Sequence, residues 1–213
     1  MGPFRLALFD LDGTLTLPKS SWQYLHERLG CWQGRAESFV QRYQAGEIDY
    51  RTFCELDASL WRGLAVADLS RLAQEVPFYD GAPDLIRHLK SRGLKLALIS
   101  SGVDLVAQGA KARLGFHFAV ANGLEIEGGR LTGGVRLRVQ HHLKKVWAER
   151  LLGRWHLSPQ EVLAFGDSLS DLELFDLAGY AVAINPDPPE LARKVDLTYW
   201  GTDLRELLAL LPV

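Results

Sequence analysis

Cysteine is nearly absent from this 213-residue chain, which carries Cys31 and Cys54 alone. That excludes a disulfide framework and makes a reducing cytoplasm the expected compartment. Long apolar runs are also missing. None approaches the roughly 20 residues that cross a bilayer, so no membrane partner is expected. Met1-Gly2-Pro3-Phe4 leads straight into a strand-like segment rather than an apolar leader. Positive charge has no excess, with 24 Lys and Arg against 26 Asp and Glu and a formal net charge of −2. Nucleic acid and anionic surfaces are therefore not expected as partners. No internal repeat or low-complexity tract suggests a solenoid. Histidine and cysteine do not stand at metal-ligand spacing, which disfavours zinc. His141 and His142 are adjacent, so on a helix they point apart and are expected at the surface.

What is present suits one sizeable core with a smaller accessory unit. Residues 4–9 form a short apolar run closed by Asp10-Leu11-Asp12-Gly13-Thr14, which reads as a buried strand ending in a polar loop. Helix and strand signals then alternate: helix 83–90, strand 94–99, helix 104–114, strand 118–121, helix 142–155, strand 162–165, helix 171–177, strand 181–184 and helix 202–211. Such a rhythm predicts an α/β fold, a three-layer, Rossmann-like parallel sheet covered by helices. Residues 20–76 break it, being rich in helix formers and aromatics, and predict a helical cap inserted after the first strand. The expected division is residues 1–17 and 78–213 for the core and 18–77 for the cap. A second break at 123–135 alternates around Glu127-Gly128-Gly129-Arg130 and predicts a hairpin flap. Asn185-Pro186-Asp187-Pro188-Pro189 reads as a rigid loop at the rim.

Ligands of open α/β sheets sit beyond the carboxyl ends of the strands. There the chain places Asp10 and Asp12, then Ser100, Ser101 and Gly102, then Gly166, Asp167, Ser168 and Asp171, with Lys144 or Lys145 opening a helix. Carboxylates converging on one rim repel and raise each other's pKa unless a cation lies among them. Oxygen-only ligands point to Mg²⁺. A carboxylate can attack phosphorus, and an acid two residues on can protonate the leaving oxygen and then activate water. Asp10 and Asp12 fit those roles. Lys144, Ser100 and Gly102 are candidates to match charge on the transferring phosphoryl group. Trp147 and Leu151 fall three and seven residues after Lys144, which turns Lys144 rather than Lys145 inward.

Taken in order, Asp10-Leu11-Asp12-Gly13-Thr14, Ser100, Lys144 and Gly166-Asp167-Ser168-Leu169-Ser170-Asp171 resemble the motifs of the haloacid dehalogenase superfamily of phosphohydrolases. The helical insertion and residues 119–133 look most like its phosphoserine-phosphatase-like subfamily. The resemblance implies Asp10 as nucleophile and metal ligand, and Asp12 as acid/base and ligand through its main-chain carbonyl. It implies Asp167 as a further metal ligand and Asp171 as the residue that orders metal-bound water. The implied activity is Mg²⁺-dependent hydrolysis of a small-molecule phosphate monoester through an aspartyl-phosphate, phosphoserine being one candidate substrate.

The chain departs from that subfamily where Lys19 replaces an acid expected to hold a substrate ammonium. Ser101 stands for a glycine and Ser170 for an asparagine. Lys19, with Arg51 and Arg62, suits instead a substrate carrying a second anionic group, and Lys19 and Arg62 are taken as substrate-binding. Of the cap aromatics Trp22, Tyr24, Trp32, Tyr43, Phe53 and Trp61, most are expected in a small core. Trp22 and Phe53 are the pocket candidates. The rival readings are a dehalogenase on the same fold, a phospho-accepting signalling module and a non-catalytic interaction protein that keeps the fold, the last of which would be expected to have lost a motif residue; the oligomeric state is left open.

Overall fold

The structure, a computed structural model, describes residues 4–140 and 143–213. His141 and His142, expected at the surface, lie outside the described residues. The chain runs through β1 (Leu6–Phe9), α1 (Ser21–Arg28), α2 (Glu37–Gln44), α3 (Tyr50–Ser59), α4 (Val66–Gln74), α5 (Ala82–Ser91), β2 (Lys95–Val103) and α6 (Asp104–Leu114). It continues through β3 (Phe118–Glu127), β4 (Arg130–Arg136), α7 (Lys144–Trp155), β5 (Val162–Ser168), α8 (Leu172–Leu177), β6 (Tyr180–Asp187) and β7 (Leu197–Tyr199).

These strands form one sheet in the order β4-β3-β2-β1-β5-β6-β7. All neighbours are parallel except β4, which returns antiparallel to β3. β1 lies in the middle, flanked by β2 and β5, so the carboxyl ends of these three strands share one rim. Strand β1 is apolar at every position because both its faces are covered. Leu6 and Leu8 pack with Ala148 and Leu151 of α7 and Phe175 of α8. Ala7 and Phe9 face the opposite layer, with Leu85 and Ile86 of α5 and Val106 of α6. The three-layer α/β reading of the sequence holds.

Helices α1 to α4 are inserted between β1 and α5, and the second of these apolar layers runs unbroken into them through Trp22, Leu25, Trp61 and Leu69. Trp22 stacks on Trp61 at 5.3 Å between ring centroids, and Tyr43 on Phe53 at 5.2 Å. The helices begin where the sequence offers caps: Ser20 Oγ accepts the Gln23 N–H and Asp49 accepts the Thr52 N–H. The two connections to the sheet run side by side. Leu17 N–H donates to the Pro77 carbonyl at 3.0 Å and Tyr79 N–H to the Leu15 carbonyl at 2.9 Å.

Two elements differ from expectation. The strand at 118–121 and the flap at 123–135 are one structure, since β3 continues from the sheet into the hairpin. Its turn is Gly128-Gly129, both with positive φ (+55° and +75°), as a two-residue hairpin connection requires. The hairpin braces the inserted helices: Gly63 N–H donates to the Leu131 carbonyl at 2.8 Å and Leu131 N–H to the Leu64 carbonyl at 2.9 Å. The helix expected over 202–211 is a short 3-10 segment, Leu204–Ala209. Leu204 N–H is spent on the Asp80 carbonyl at 2.7 Å, and Pro212 follows too soon for a longer helix.

Candidate active site

The loop after β1 is wound around one carbonyl. Leu11 C=O accepts the N–H groups of Thr14, Leu15 and Thr16 at 2.9 to 3.2 Å and the Thr16 hydroxyl at 3.1 Å. Asp10 leaves the strand at the rim, its N–H given to the Phe165 carbonyl of β5 at 2.9 Å. Gly13 is required twice over. Its φ is +77°, and a Cβ there would stand 2.3 Å from Asp167 Oδ2. Glycine at this point lets the end of β5 bring Asp167 against the end of β1.

The β5 end is organised by Asp171. Its Oδ2 accepts the N–H groups of Asp167 and Ser168, each at 3.1 Å, and its Oδ1 accepts from Lys144 Nζ at 2.6 Å. Gly166 makes room for it, because a Cβ there would fall 2.4 Å from Asp171 Cγ. Lys144 is 0% exposed and its ammonium also lies 2.8 Å from Asp10 Oδ1. Lys145 instead points to solvent and meets Glu149 at 3.9 Å. The structure thus brings Lys144, and not its neighbour, to the carboxylates.

Ligand oxygens of Asp10, Asp167 and Asp171 lie within 4.8 Å of one another, all three residues buried. Burial pushes the Asp10 carboxyl up to about 7, against the pull of Lys144 and helped by Asp171 and Asp12. Asp167 is held well above the usual carboxylate range, by burial first and then by Asp171 and Asp10. One buried ammonium faces more carboxylates than it can neutralise. A hard cation bound by oxygen fits this donor set, with Asp10 and Asp167 free to ligate. Asp171 has both oxygens engaged by the protein, which suits an orienting role better than direct ligation.

Asp12 lies two residues on and is held from another direction. Its Oδ2 accepts the Ser21 N–H at 2.8 Å and the Ser21 hydroxyl at 2.7 Å, while the Ser21 Oγ accepts the Val103 N–H at 3.0 Å. Burial raises the Asp12 carboxyl and these two hydrogen bonds pull it back. Its Oδ1 makes no hydrogen bond. Ser100, buried in β2 where its pairing with β3 is interrupted, accepts the Gly102 N–H at 3.0 Å, leaving its own O–H to be donated. A Cβ on Gly102 would sit 2.5 Å from Asp12 Oδ2, so glycine is what lets this loop approach.

These groups open into a cleft of about 280 Å³ lined on the sheet side by Asp10, Asp12, Gly102, Asp167 and Ser170, and on the helical side by Trp22, Tyr43, Tyr50 and Phe53. Lys19 reaches its mouth and pairs there with Asp187 at 3.1 Å. The structure does not bring Arg62 to the cleft. Arg62 is exposed and packs beside Gly133 of the hairpin, because the turn after α3 directs it outward. Arg51 likewise pairs with Glu55 at 3.6 Å on the surface. Trp22 and Phe53 line the cleft as expected. Tyr43, read as core, lines it too.

Sequence reasoning missed Ser21, Tyr50 and Asn122; Asp187 lies on the 185–189 loop expected at the rim, and what was missed there is its pairing with Lys19. Asn122 is wholly buried on β3. Its amide N donates to the carbonyls of Ser101 and Val139 at 2.8 and 2.9 Å and to the Tyr50 hydroxyl at 3.0 Å, while its oxygen accepts the N–H groups of Arg138 and Val139, both at 2.9 Å. Tyr50 O–H donates to the same Ser101 carbonyl at 2.7 Å. A residue whose importance lies in four hydrogen bonds to distant backbone and one to a distant hydroxyl leaves no local signal. Ser21, beside a helix cap, could have been found from the acceptor it covers.

Comparison with known proteins agrees with this geometry. A model of the haloacid dehalogenase-like hydrolase family matches residues 7–176. A phosphoserine phosphatase of Archaeoglobus fulgidus is 32% identical over 182 residues, covering 85% of this chain and 52% of that protein, so the chain spans about half the length of that relative. One from Idiomarina loihiensis is 30% identical, covering 97% of this chain and 93% of the relative. A solved structure described as a phospho-aspartyl intermediate analogue of phosphoserine phosphatase superposes with a TM-score of 0.84 at 26% identity, covering 98% of this chain and 99% of its own. Among the described residues no helix is long and apolar enough to cross a membrane. The chain belongs to the haloacid dehalogenase-like hydrolase family, and within it is similar to the phosphoserine phosphatases.

Proposed function

We propose that this chain is a metal-dependent phosphatase that hydrolyses a small-molecule phosphate monoester through an aspartyl-phosphate on Asp10. The observation that carries the reading is the buried pairing of Asp10 with Lys144, 2.8 Å apart, beside Asp167 and beneath a cleft that also receives Asp12. Lys144 occupies Asp10 Oδ1 and leaves Oδ2 to attack. That oxygen bonds to phosphorus as the bond from phosphorus to the leaving oxygen breaks, and Asp12 gives its proton to the departing alcohol. Asp12 then takes a proton from water, whose oxygen displaces Asp10 and releases inorganic phosphate. The raised pKa of Asp12 suits a group that must carry a proton in one half-reaction and accept one in the next. Ser21 holds it in place for both.

Mg²⁺ is the metal we propose, since every available ligand is oxygen, and Asp10, Asp167 and the Asp12 main-chain carbonyl would hold it. It would neutralise charge on the phosphoryl oxygens. Ser100 donates its hydroxyl to those oxygens, Gly102 lets the chain approach them closely, and Lys144 keeps Asp10 oriented and favours its ionised form. Residues 18–77 act as the cap that excludes water, on a core of residues 1–17 and 78–213; the paired connections at Leu15–Tyr79 and Leu17–Pro77 support that division. Phosphoserine is a candidate substrate because the relatives are named for it. The free thiols of Cys31 and Cys54 fit a reducing, cytoplasmic setting.

Phosphate release from a panel of monoesters, with Mg²⁺ and with EDTA, tests the reading. Release should require metal, and Asp10→Asn should lower it by more than about a thousandfold with the thermal transition kept. Near-normal turnover by Asp10→Asn would exclude the covalent route.

A further inference from the structure

The helical wall of the cleft carries information about the leaving group, on the understanding that the site is the phosphatase site just described. Trp22, Tyr43, Tyr50 and Phe53 line the cleft together with the phosphoryl-binding rim, the last three in mutual ring contact. Tyr43 is stacked on Phe53, and Tyr50 meets Tyr43 edge-on at 5.9 Å and Phe53 at 6.2 Å. Trp22 is fixed from behind by Trp61, 5.3 Å away. The face is preorganised, so little ordering cost attends the burial of an apolar body against it.

Charge is scarce on this side. Among the described residues lining the cleft, Lys19 is the one cation, and its ammonium already meets Asp187 at 3.1 Å. The acids that remain, Asp10, Asp12 and Asp167, lie at the phosphoryl end. Arg51 and Arg62 point elsewhere. A substrate amino acid would bring an ammonium and a carboxylate against rings that offer neither a counter-charge, since the nearest charges are the solvent-exposed Lys19–Asp187 pair at the mouth and the carboxylates of the chemistry, and each buried without a partner would be costly.

We propose that the preferred substrate is the phosphate monoester of an uncharged alcohol with an aromatic or compact apolar body, seated on Tyr43, Tyr50 and Phe53, with Trp22 closing one side. The Lys19–Asp187 pair closes the mouth and does not bind the substrate. Tyr43 and Phe53 determine specificity, while the phosphoryl group is handled wholly by the opposite rim. The proposed reaction needs no co-reactant beyond water: the bond broken joins phosphorus to the alcohol oxygen, which leaves with the proton from Asp12.

The test is kcat and KM of the full chain with Mg²⁺ on benzyl phosphate, O-phosphoserine and phosphoethanolamine, esters whose similar alkoxide leaving groups keep the chemistry comparable. Benzyl phosphate should show kcat/KM at least about tenfold above both others, from ring burial alone. Tyr43→Ala, at a half-buried position, and Phe53→Leu, which keeps an apolar core side chain, should each raise KM for benzyl phosphate with little change in kcat, and leave the two charged substrates nearly unaffected. Lys19→Met should leave the order of preference unchanged. A higher kcat/KM on phosphoserine or phosphoethanolamine, or an equal loss on all three esters in both aromatic variants, would overturn the proposal while leaving the phosphatase reading intact. Release from none of the three would overturn both.

Discussion

The two walls of the cleft are built on opposite plans. The sheet wall is a cluster of like charges, Asp10, Asp167 and Asp171 buried and Asp12 half-buried beside them, with Lys144 alone to oppose them. The helical wall is made of aromatic rings packed on one another, and its charges sit at the mouth, already paired. The first wall is under electrostatic tension and is held only because glycines, backbone N–H groups and the closed loop around Leu11 keep its members in place. The second rests in contacts that would form in any apolar core. The division separates the invariant part of the reaction, transfer of a phosphoryl group, from the variable part, the alcohol that leaves.

If that contrast is real, the largest effect should come from removing the one counter-charge. Lys144→Met leaves Asp10 and Asp171 buried and unpaired. It should abolish turnover and destabilise the metal-free protein by about 3–5 kcal/mol in chemical denaturation. Lys145→Met, one residue on and exposed, should change stability by less than about 0.5 kcal/mol, as surface pairs do. Equal effects from the two lysines would erase the distinction between the walls.

Next in size is Gly13→Ala. A side chain at φ +77° that also meets Asp167 Oδ2 at 2.3 Å should cost about 1–3 kcal/mol and push Asp167 away. Weakened Mg²⁺ binding by calorimetry, beyond the loss of stability, is the expected signature.

A smaller effect follows from the titration of Asp10. Its carboxyl titrates at about 7 in the fold against an ordinary 3.8, so the folded state holds the proton more tightly. The stabilisation is complete below pH 3.8 and disappears as pH rises through about 7. The metal-free protein should therefore lose stability between these limits, and a dication, which favours the ionised carboxylate, should restore it. The rise in Tm on adding Mg²⁺ should be larger above pH 7 than near pH 5, checked by thermal melts at fixed ionic strength.

The two walls also differ in how far they could be read beforehand. Asp10, Asp12, Asp167 and Asp171 were visible because each follows an apolar strand and because short spacings carry their relationship. Lys144 was visible from its inward face on α7. The aromatic wall was only half visible. Trp22 and Phe53 were placed in the pocket, but Tyr43 and Tyr50 could not be told from core, because an aromatic ring on an amphipathic helix looks the same whether it faces a cleft or a neighbour. Lys19 was placed near the substrate, yet its partner Asp187 lies 168 residues away, and no local pattern announces such a pair. Arg62 shows the converse. Its charge was legible and its direction was not, since that is set by the turn after α3 and the hairpin packed against it. The hairpin turn was read correctly from its adjacent glycines, whereas its role as a brace depends on contacts between β4 and the 63–66 segment that only the folded chain makes.

The central claim is that Asp10 becomes covalently phosphorylated. Acid quenching during turnover on benzyl phosphate, followed by proteolysis and mass spectrometry, tests it most directly. A phosphoryl group on the peptide containing Asp10, formed before phosphate appears in solution and absent in Asp10→Asn, is the predicted result. Phosphate release at full rate with no phosphorylated peptide at any quench time would mean that water attacks phosphorus directly, and would contradict the account.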